Sequence, residues 1–214
     1  MATALVLGAT GLVGSHLLPL LLEAPEYDHV TALTRRPQHV SHPKLEFVEC
    51  ELEQIAEHAA ALQADDIYCA LGTTIRQAQT QEAFRAVDHD APLAISQMQL
   101  HREKKRFMLV SALGADPNSF FFYNKVKADT EADLGAMGFK KLYIARPSLL
   151  LGSRAEWRMG EKLGEWAATP LAPLMRGPWR KYRPIQAQTV AENLLRIMRG
   201  QEARDGMEYS LIAP

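Results

Sequence analysis

The stretch Thr3-Ala-Leu-Val-Leu-Gly-Ala-Thr-Gly-Leu-Val-Gly14 constrains this chain more than any other. The apolar run Ala4-Leu5-Val6-Leu7 stops at Gly8, further glycines follow at Gly11 and Gly14, and residues 13–23 carry a helical pattern. A buried strand that enters a glycine turn and leaves as a helix forms a phosphate cradle. The first glycine lets the chain turn sharply, and the second removes a Cβ so that backbone N–H groups can approach a pyrophosphate. The third lets the helix pack closely on its strand, and the helix N-terminus adds partial positive charge. Ordinary βα turns also contain glycine, but a place directly after an N-terminal strand favours a dinucleotide.

A length of 214 residues predicts a single domain, 1–214, with a sizeable core. Hydrophobic content of 47% and charged content of 23% are ordinary globular values, so a disordered chain is not expected. A formal net charge of −1 argues against a nucleic-acid footprint or an anionic membrane surface. The basic run Lys104-Lys105-Arg106 fits a solvated helix end. Two cysteines, Cys50 and Cys69, make no disulfide framework and fit a reducing cytosol. No leader pattern precedes the first strand, and Leu17–Leu22 is too short to span a bilayer and contains Pro19. The histidines show no metal-ligand spacing, so no metal is expected. These features predict a cytoplasmic protein with a small-molecule substrate and neither nucleic acid nor membrane as partner, a monomer or small homo-oligomer.

Strand-like runs fall at 3–7, 30–34, 45–49, 66–71, 106–111 and 141–145, with a last one at 208–212. Most are continuous apolar runs, as parallel strands covered on both faces require. Helical patterns fill 13–23, 53–62, 79–102, 122–137 and 187–199, with Gly138 and Gly200 as stop signals and Pro92 splitting the longest. The alternation predicts an α/β fold, a Rossmann-like doubly wound parallel sheet with ligands at the carboxyl ends of its strands. Residues 152–184 hold Trp157, Trp166 and Trp179 with prolines at 170, 173, 178 and 184, and have poor periodicity. They predict a small irregular C-terminal cap, whose tryptophans either line a pocket or form the lobe's own core.

In this fold the end of the second strand meets the adenosine ribose. An acidic residue there bonds the 2′-hydroxyl of NAD, whereas arginine accommodates the 2′-phosphate of NADP. The chain has Thr34-Arg35-Arg36-Pro37 and no acid, which favours NADP through a planar, permanently charged fork. A pair of surface loop arginines would look the same in sequence. After the third strand, Glu51 stands near the position where an Asp often contacts adenine.

Together with Tyr123-Asn-Lys-Val-Lys127, these features resemble the short-chain dehydrogenase/reductase superfamily. Ala70-Leu-Gly-Thr-Thr74, Val110-Ser-Ala-Leu-Gly-Ala-Asp116 and Ala145-Arg-Pro-Ser-Leu-Leu-Leu-Gly152 look like its atypical NAD(P)-binding branch, which includes the Tat-interacting oxidoreductase-like proteins. The resemblance implies NADP(H) as cofactor, with Gly8, Thr10, Gly11, Leu12 and Val13 around the pyrophosphate and Arg35 and Arg36 facing the 2′-phosphate. It places Ala70, Leu71 and Gly72 along the riboses, and the backbone of Arg146-Pro147-Ser148 beside the nicotinamide amide. Ser111, Tyr123 and Lys127 would form the catalytic group, with Tyr123 and Lys127 also beside the cofactor. Two departures stand out: Asp88 where many relatives have Asn, and Ala112 where some have a second Ser.

Tyr123 and Lys127 have i, i+4 spacing and share a helix face. A phenol titrating near 10 exchanges its proton poorly around neutrality, and a neighbouring ammonium lowers that value. Ser111, at a strand end, could hold a substrate carbonyl. Tyr-x-x-x-Lys also arises by chance, and Lys125 lies on the same helix. Two functions follow: an NADP-dependent oxidoreductase reducing a small carbonyl by hydride transfer, or a catalytically weak NADPH-binding sensor. Sugar-nucleotide epimerisation is disfavoured, since too little chain follows Arg146 for a large nucleotide-sugar lobe.

Overall fold

The computed structural model describes residues 2–152 and 177–213. The opening apolar run becomes β1 (Ala2–Leu7), and Ala4, Leu5, Val6 and Leu7 are all shut off from solvent. Because successive strand side chains point to opposite faces, Ala4 and Val6 feed one core layer and Leu5 and Leu7 the other. The chain turns into α1 (Gly14–Glu23), then forms β2 (Tyr27–Thr34), β3 (Leu45–Glu49) and β4 (Asp66–Cys69). Three short helices follow, α2 (Ile75–Ala78), α3 (Gln81–Arg85) and α4 (Ala91–Met98), before β5 (Arg106–Val110), α5 (Phe122–Gly135) and β6 (Lys141–Arg146). A two-stranded parallel pair, β7 (Leu150–Leu151) and β8 (Ile185–Gln186), precedes α6 (Ala187–Met198) and β9 (Glu208–Ile212).

The main sheet has seven strands in the order β3-β2-β1-β4-β5-β6-β9, parallel throughout except for β9, which runs antiparallel to β6. This is the Rossmann-like doubly wound sheet that the apolar runs predict. On one face Leu17 and Leu21 of α1 pack with Val190, Ala191 and Leu194 of α6. On the other, Ile55, Ile95 of α4 and Leu134 of α5 cover Leu5, Leu7 and Ile67. Gly138 and Gly200, the predicted stops, follow α5 and α6 at φ of +75° and +77°, a conformation other residues rarely adopt.

Two expected helices are corrected. Residues 53–62 form a 3-10 stretch over Leu52–His58 rather than an α-helix. The long segment 79–102 is broken earlier than Pro92: Gln79 adopts φ +66°, Thr80 caps α3 by accepting the Ala83 N–H at 3.0 Å, and a π turn spans Ala86–Asp90. Proline still explains the distortion. Pro92 has no N–H to give the Asp88 carbonyl four residues back, so the helix widens and Ala91 bonds to Ala86 instead. The Asp88 carbonyl accepts from the Thr130 hydroxyl of α5 at 3.1 Å.

At the amino ends of the strands, Tyr27 donates to Asp66 at 2.6 Å and meets the Tyr68 hydroxyl at 2.9 Å. Arg106 clamps the same carboxylate, with Nε at 2.6 Å from Asp66 Oδ1 and the second nitrogen on Oδ2. Most of the predicted cap, including Trp157 and Trp166, lies outside the described residues. Its last part forms a 3-10 turn over Gly177–Tyr182, tied to the sheet side by the Ser148 hydroxyl donating to Arg183 O.

Candidate cofactor and active site

From β1 the chain winds outward through β2 and β3, then crosses to β4 on the opposite side of β1, so the winding direction reverses between β1 and β4. In an open α/β sheet that reversal leaves a crevice at the carboxyl ends of the strands. Gly8 leaves β1 at φ +80°, and a Cβ there would sit 2.6 Å from the Ala70 carbonyl oxygen, in the loop after β4. A Cβ on Gly14, the first residue of α1, would come within 2.1 Å of the Gly8 oxygen. Both glycines thus permit close approach within the chain. Gly11 closes the turn, donating to Gly8 O at 2.9 Å and accepting from Ser15 at 3.0 Å. Thr10 is exposed, Leu12 half-buried and Val13 buried. Among the described residues, the Leu12 and Val13 N–H groups donate to no backbone carbonyl. They are the open amides that an anion at the positive end of α1 requires.

At the end of β2, Arg35 and Arg36 are exposed, and among the described residues neither forms an ion pair. Glu51 has local work instead: it starts the 3-10 turn in a reciprocal box with Gln54, whose side chain takes the Glu51 N–H at 3.4 Å.

The Tyr-x-x-x-Lys pair lies on the first two turns of α5. Tyr123 packs on Phe84 of α3, ring centroids 5.6 Å apart, and the Lys127 ammonium is 6.0 Å from the Tyr123 ring centre. Lys127 is buried, and its Nζ stands 2.7 Å from Asp88 Oδ1 in the π turn; the two side chains are 4% and 0% exposed. Asp88 Oδ2 accepts the Thr73 N–H at 2.8 Å, which anchors the loop of Ala70, Leu71 and Gly72 behind the crevice. Burial works against the Lys127 charge, but the Asp88 carboxylate beside it outweighs that cost, so this ammonium holds its proton more firmly than an ordinary lysine. In the sequence Asp88 stands out only as a departure from Asn, with no sign of this pairing. The usable signal was Pro92 four residues on, which marks a disturbed helix at Asp88.

Ser111 follows β5, buried, its N–H bonded to Ala145 O at 2.8 Å. Arg146, Pro147 and Ser148 follow the core of β6. The Arg146 side chain turns away to the sheet edge, where Glu131 takes it in a two-pronged ion pair at 2.9 and 2.6 Å and Ser210 accepts at 3.3 Å. Pro147 O accepts from Leu113 at 3.1 Å, which fixes the β6 loop against the β5 loop.

Three buried side-chain oxygens lack a hydrogen bond among the described residues, and all belong to this crevice. Thr34 Oγ1 closes β2, Ser111 Oγ follows β5, and Asp88 Oδ1 has only the Lys127 ammonium in ion-pair contact. Orphaned buried polar atoms are rare in folded chains. Thr34 Oγ1 and Ser111 Oγ, left without partners among the described residues at this edge of the sheet, fit with the open amides and the exposed arginines as a site for a nicotinamide dinucleotide.

Residues 8–146 match the NAD(P)H-binding family, and the chain belongs to it, as an atypical short-chain dehydrogenase/reductase. Protein FMP52, mitochondrial, of Coccidioides immitis is 30% identical over 230 residues, spanning 100% of this chain and 94% of its own. Protein HTATIP2 of Rattus norvegicus is 32% identical over 194 residues, spanning 89% and 78%. The Bordetella bronchiseptica enzyme WbmH, solved in complex with NAD+, matches the fold with a TM-score of 0.68 at 16% identity, over 94% of this chain and 73% of its own.

The cytoplasmic expectation is overturned by these relatives. Those from C. immitis, Eremothecium gossypii, Candida albicans and Emericella nidulans are all named as mitochondrial proteins. Cys50 and Cys69 are buried free thiols, which suit any reducing compartment and so do not single out the cytosol. Among the described residues, no helix is long and apolar enough to cross a membrane.

Proposed function

We propose that the chain is an NADPH-dependent reductase of a small carbonyl compound, working by proton donation from Tyr123. The observation that carries this is the buried Lys127 ammonium held 6.0 Å from the Tyr123 ring centre, at the carboxyl edge of a dinucleotide sheet. Bound NADPH supplies a hydride, with its electron pair, to the carbonyl carbon. The Tyr123 hydroxyl gives its proton to the carbonyl oxygen as that oxygen gains charge, and Lys127 stabilises the phenolate left behind. Ser111 orients the carbonyl through its hydroxyl. The Gly8–Val13 turn and the α1 N-terminus bind the pyrophosphate, and Arg35 and Arg36 select the 2′-phosphate. Gly72, Pro147 and Ser148 present backbone to the ribose and amide.

The experiment is NADPH consumption across a panel of aldehydes and ketones. Tyr123→Phe keeps the ring that packs on Phe84 and therefore keeps NADPH binding, but lowers turnover by about a hundred- to ten-thousand-fold. A Tyr123→Phe protein as active as the parent would refute the assignment. The sensor alternative draws on the burial of the Ser111 hydroxyl, which solvent does not reach in this state of the chain. Tight NADPH binding with no turnover on any carbonyl would favour it.

A further inference from the structure

The following rests on Tyr123 as the proton donor and concerns what its activator is allowed to do. We propose that Asp88 is a positioning residue that holds the Lys127 ammonium in a neutral pair, so that Tyr123 stays protonated through the neutral range and the site is set for giving a proton rather than taking one.

The geometry is specific. The Lys127 ammonium and the Asp88 carboxylate touch at 2.7 Å with both side chains shut off from water. A lone buried ammonium would act on Tyr123 as a point charge. Paired with a carboxylate, it acts as a dipole whose field dies away faster with distance, and the pull on the phenol's proton weakens. Asp88 has no freedom to drift away. Its Oδ2 is pinned by the Thr73 N–H at 2.8 Å, and its carbonyl shares the Thr130 hydroxyl, at 3.1 Å, with Val126 O at 2.8 Å. Thr130 lies on α5, the helix that carries Lys127, so the vacancy created by Pro92 is used to lock the acid's segment to the base's helix.

The described groups packed around the pair leave it intact. From β4, Cys69 is a buried thiol pushed up to about 11 by desolvation and is neutral here. On α3, Phe84 faces Tyr123, while Arg85 turns to Asp129 at 3.0 Å and to His89 and Asp90. On α5 itself, Lys125 is exposed to solvent.

A phenol kept neutral is competent to donate. Reduction then proceeds with little pH dependence around neutrality. The reverse reaction, alcohol oxidation, needs the phenolate to accept the alcohol's proton and appears only in alkaline solution. An unpaired lysine would instead make both directions accessible near neutrality.

The test reads Tyr123 directly, by ultraviolet tyrosinate absorbance of the full chain titrated with base, in the parent minus Tyr123→Phe. The exposed ring position makes that variant safe for folding. Tyr123 is expected to titrate at or above about 10 in the parent. Asp88→Asn keeps an acceptor for Thr73 and removes the negative charge; it should lower the Tyr123 titration by about one unit, the effect of one nearby charge at an effective dielectric near 20. The double variant Asp88→Asn/Lys127→Met, again neutral, should return it to near the parent value, which a purely structural role for Asp88 would not do. With a carbonyl substrate, the pH profile of NADPH-dependent reduction should move in the acid direction by the same amount in Asp88→Asn. A parent Tyr123 titrating well below 10 overturns the proposal, even if Asp88→Asn does not fold. So does a folded Asp88→Asn protein with Tyr123 unmoved. Absence of turnover on every carbonyl would instead sink the reductase assignment, leaving the absorbance titration to decide the role of Asp88.

Discussion

Gly14→Ala sets two general rules against each other at one position. Intrinsic helix propensity favours alanine over glycine by about 1 kcal/mol inside a helix, so the change should stabilise α1 if only propensity matters. The local geometry says otherwise. A Cβ on Gly14 would lie 2.1 Å from the Gly8 oxygen, 2.8 Å from the Gly8 carbonyl carbon and 2.9 Å from Ala9 Cα, all backbone atoms that no rotamer change can move aside. Relief requires α1 to lift off its turn, and α1 carries Leu17 and Leu21 in the core against α6. Overpacking of this kind costs about 1–3 kcal/mol where flexible side chains can give, and more where backbone must move. The net expectation is a loss of about 2 kcal/mol or more, with the propensity gain already subtracted. Urea unfolding followed by circular dichroism measures it, as a lower midpoint at unchanged slope. Gly135→Ala is the control. It sits at the end of α5, where a Cβ would meet only Ile212 Cδ1 at 3.5 Å, an ordinary contact. There the propensity term acts nearly alone, and the midpoint should stay level or rise. If Gly14→Ala is as stable as the parent, the tight helix-on-turn packing inferred for the crevice is wrong.

Arg35→Asp should erase any preference for NADPH over NADH, by tenfold or more in the dissociation-constant ratio, because a carboxylate replaces the fork at the end of β2; equal affinities in the unmodified protein would remove the basis for NADP. Arg146→Ala should destabilise the fold by about 3 kcal/mol, since it strands the buried Glu131 charge, yet leave NADPH affinity within about twofold; a large affinity loss in isothermal titration would show the side chain facing the cofactor instead. Glu26 is held below the ordinary carboxylate range by its hydrogen bond from Arg199. With the folded value depressed, its contribution is full above the unfolded value and is lost as pH falls through the folded one. Acid unfolding of Glu26→Gln should therefore show a shallower loss of stability over that window, modest in size because the pair is partly exposed.

The sheet was legible because its strands are apolar on both faces. Val30, Ala32, Ile67, Phe107, Leu109, Leu142 and Ile144 are each fully or nearly fully buried, and runs of such residues have few other uses. The crevice was legible through Gly8 and Gly14, whose absent Cβ atoms are demanded by contacts only a few residues away or one strand over. The missing part is long-range and polar. Nothing local in the sequence says that Asp88 and Lys127, on different helices, share one pocket, or that Tyr27, Asp66 and Arg106 join at the amino ends of three strands. The π turn was hidden for a different reason: its cause, the missing N–H of Pro92, lies downstream of its effect, and the natural guess puts the break at the proline itself. Glu51 shows the same limit, since nothing in its place after β3 announces the reciprocal box with Gln54.

The order in which the sheet closes bears on how this chain survives its own synthesis. Strand β6 acquires its second neighbour only from β9, with Arg146 reaching Ser210 across 64 positions of sequence. Until those later residues emerge from the ribosome, the row Leu142-Tyr143-Ile144-Ala145 is a parallel-sheet edge with unpaired amides and apolar side chains, the kind of template that recruits other nascent chains. Because α6 ends at the amino side of the sheet, where Met198 O accepts from Arg106, residues 199–207 must carry the chain back before Glu208 can start the closing strand opposite Arg146. Closure of that edge is thus set by residues 208–212, the last to be made of the sheet. A lesion confined to them would reach the cell as lost protein and not as altered chemistry.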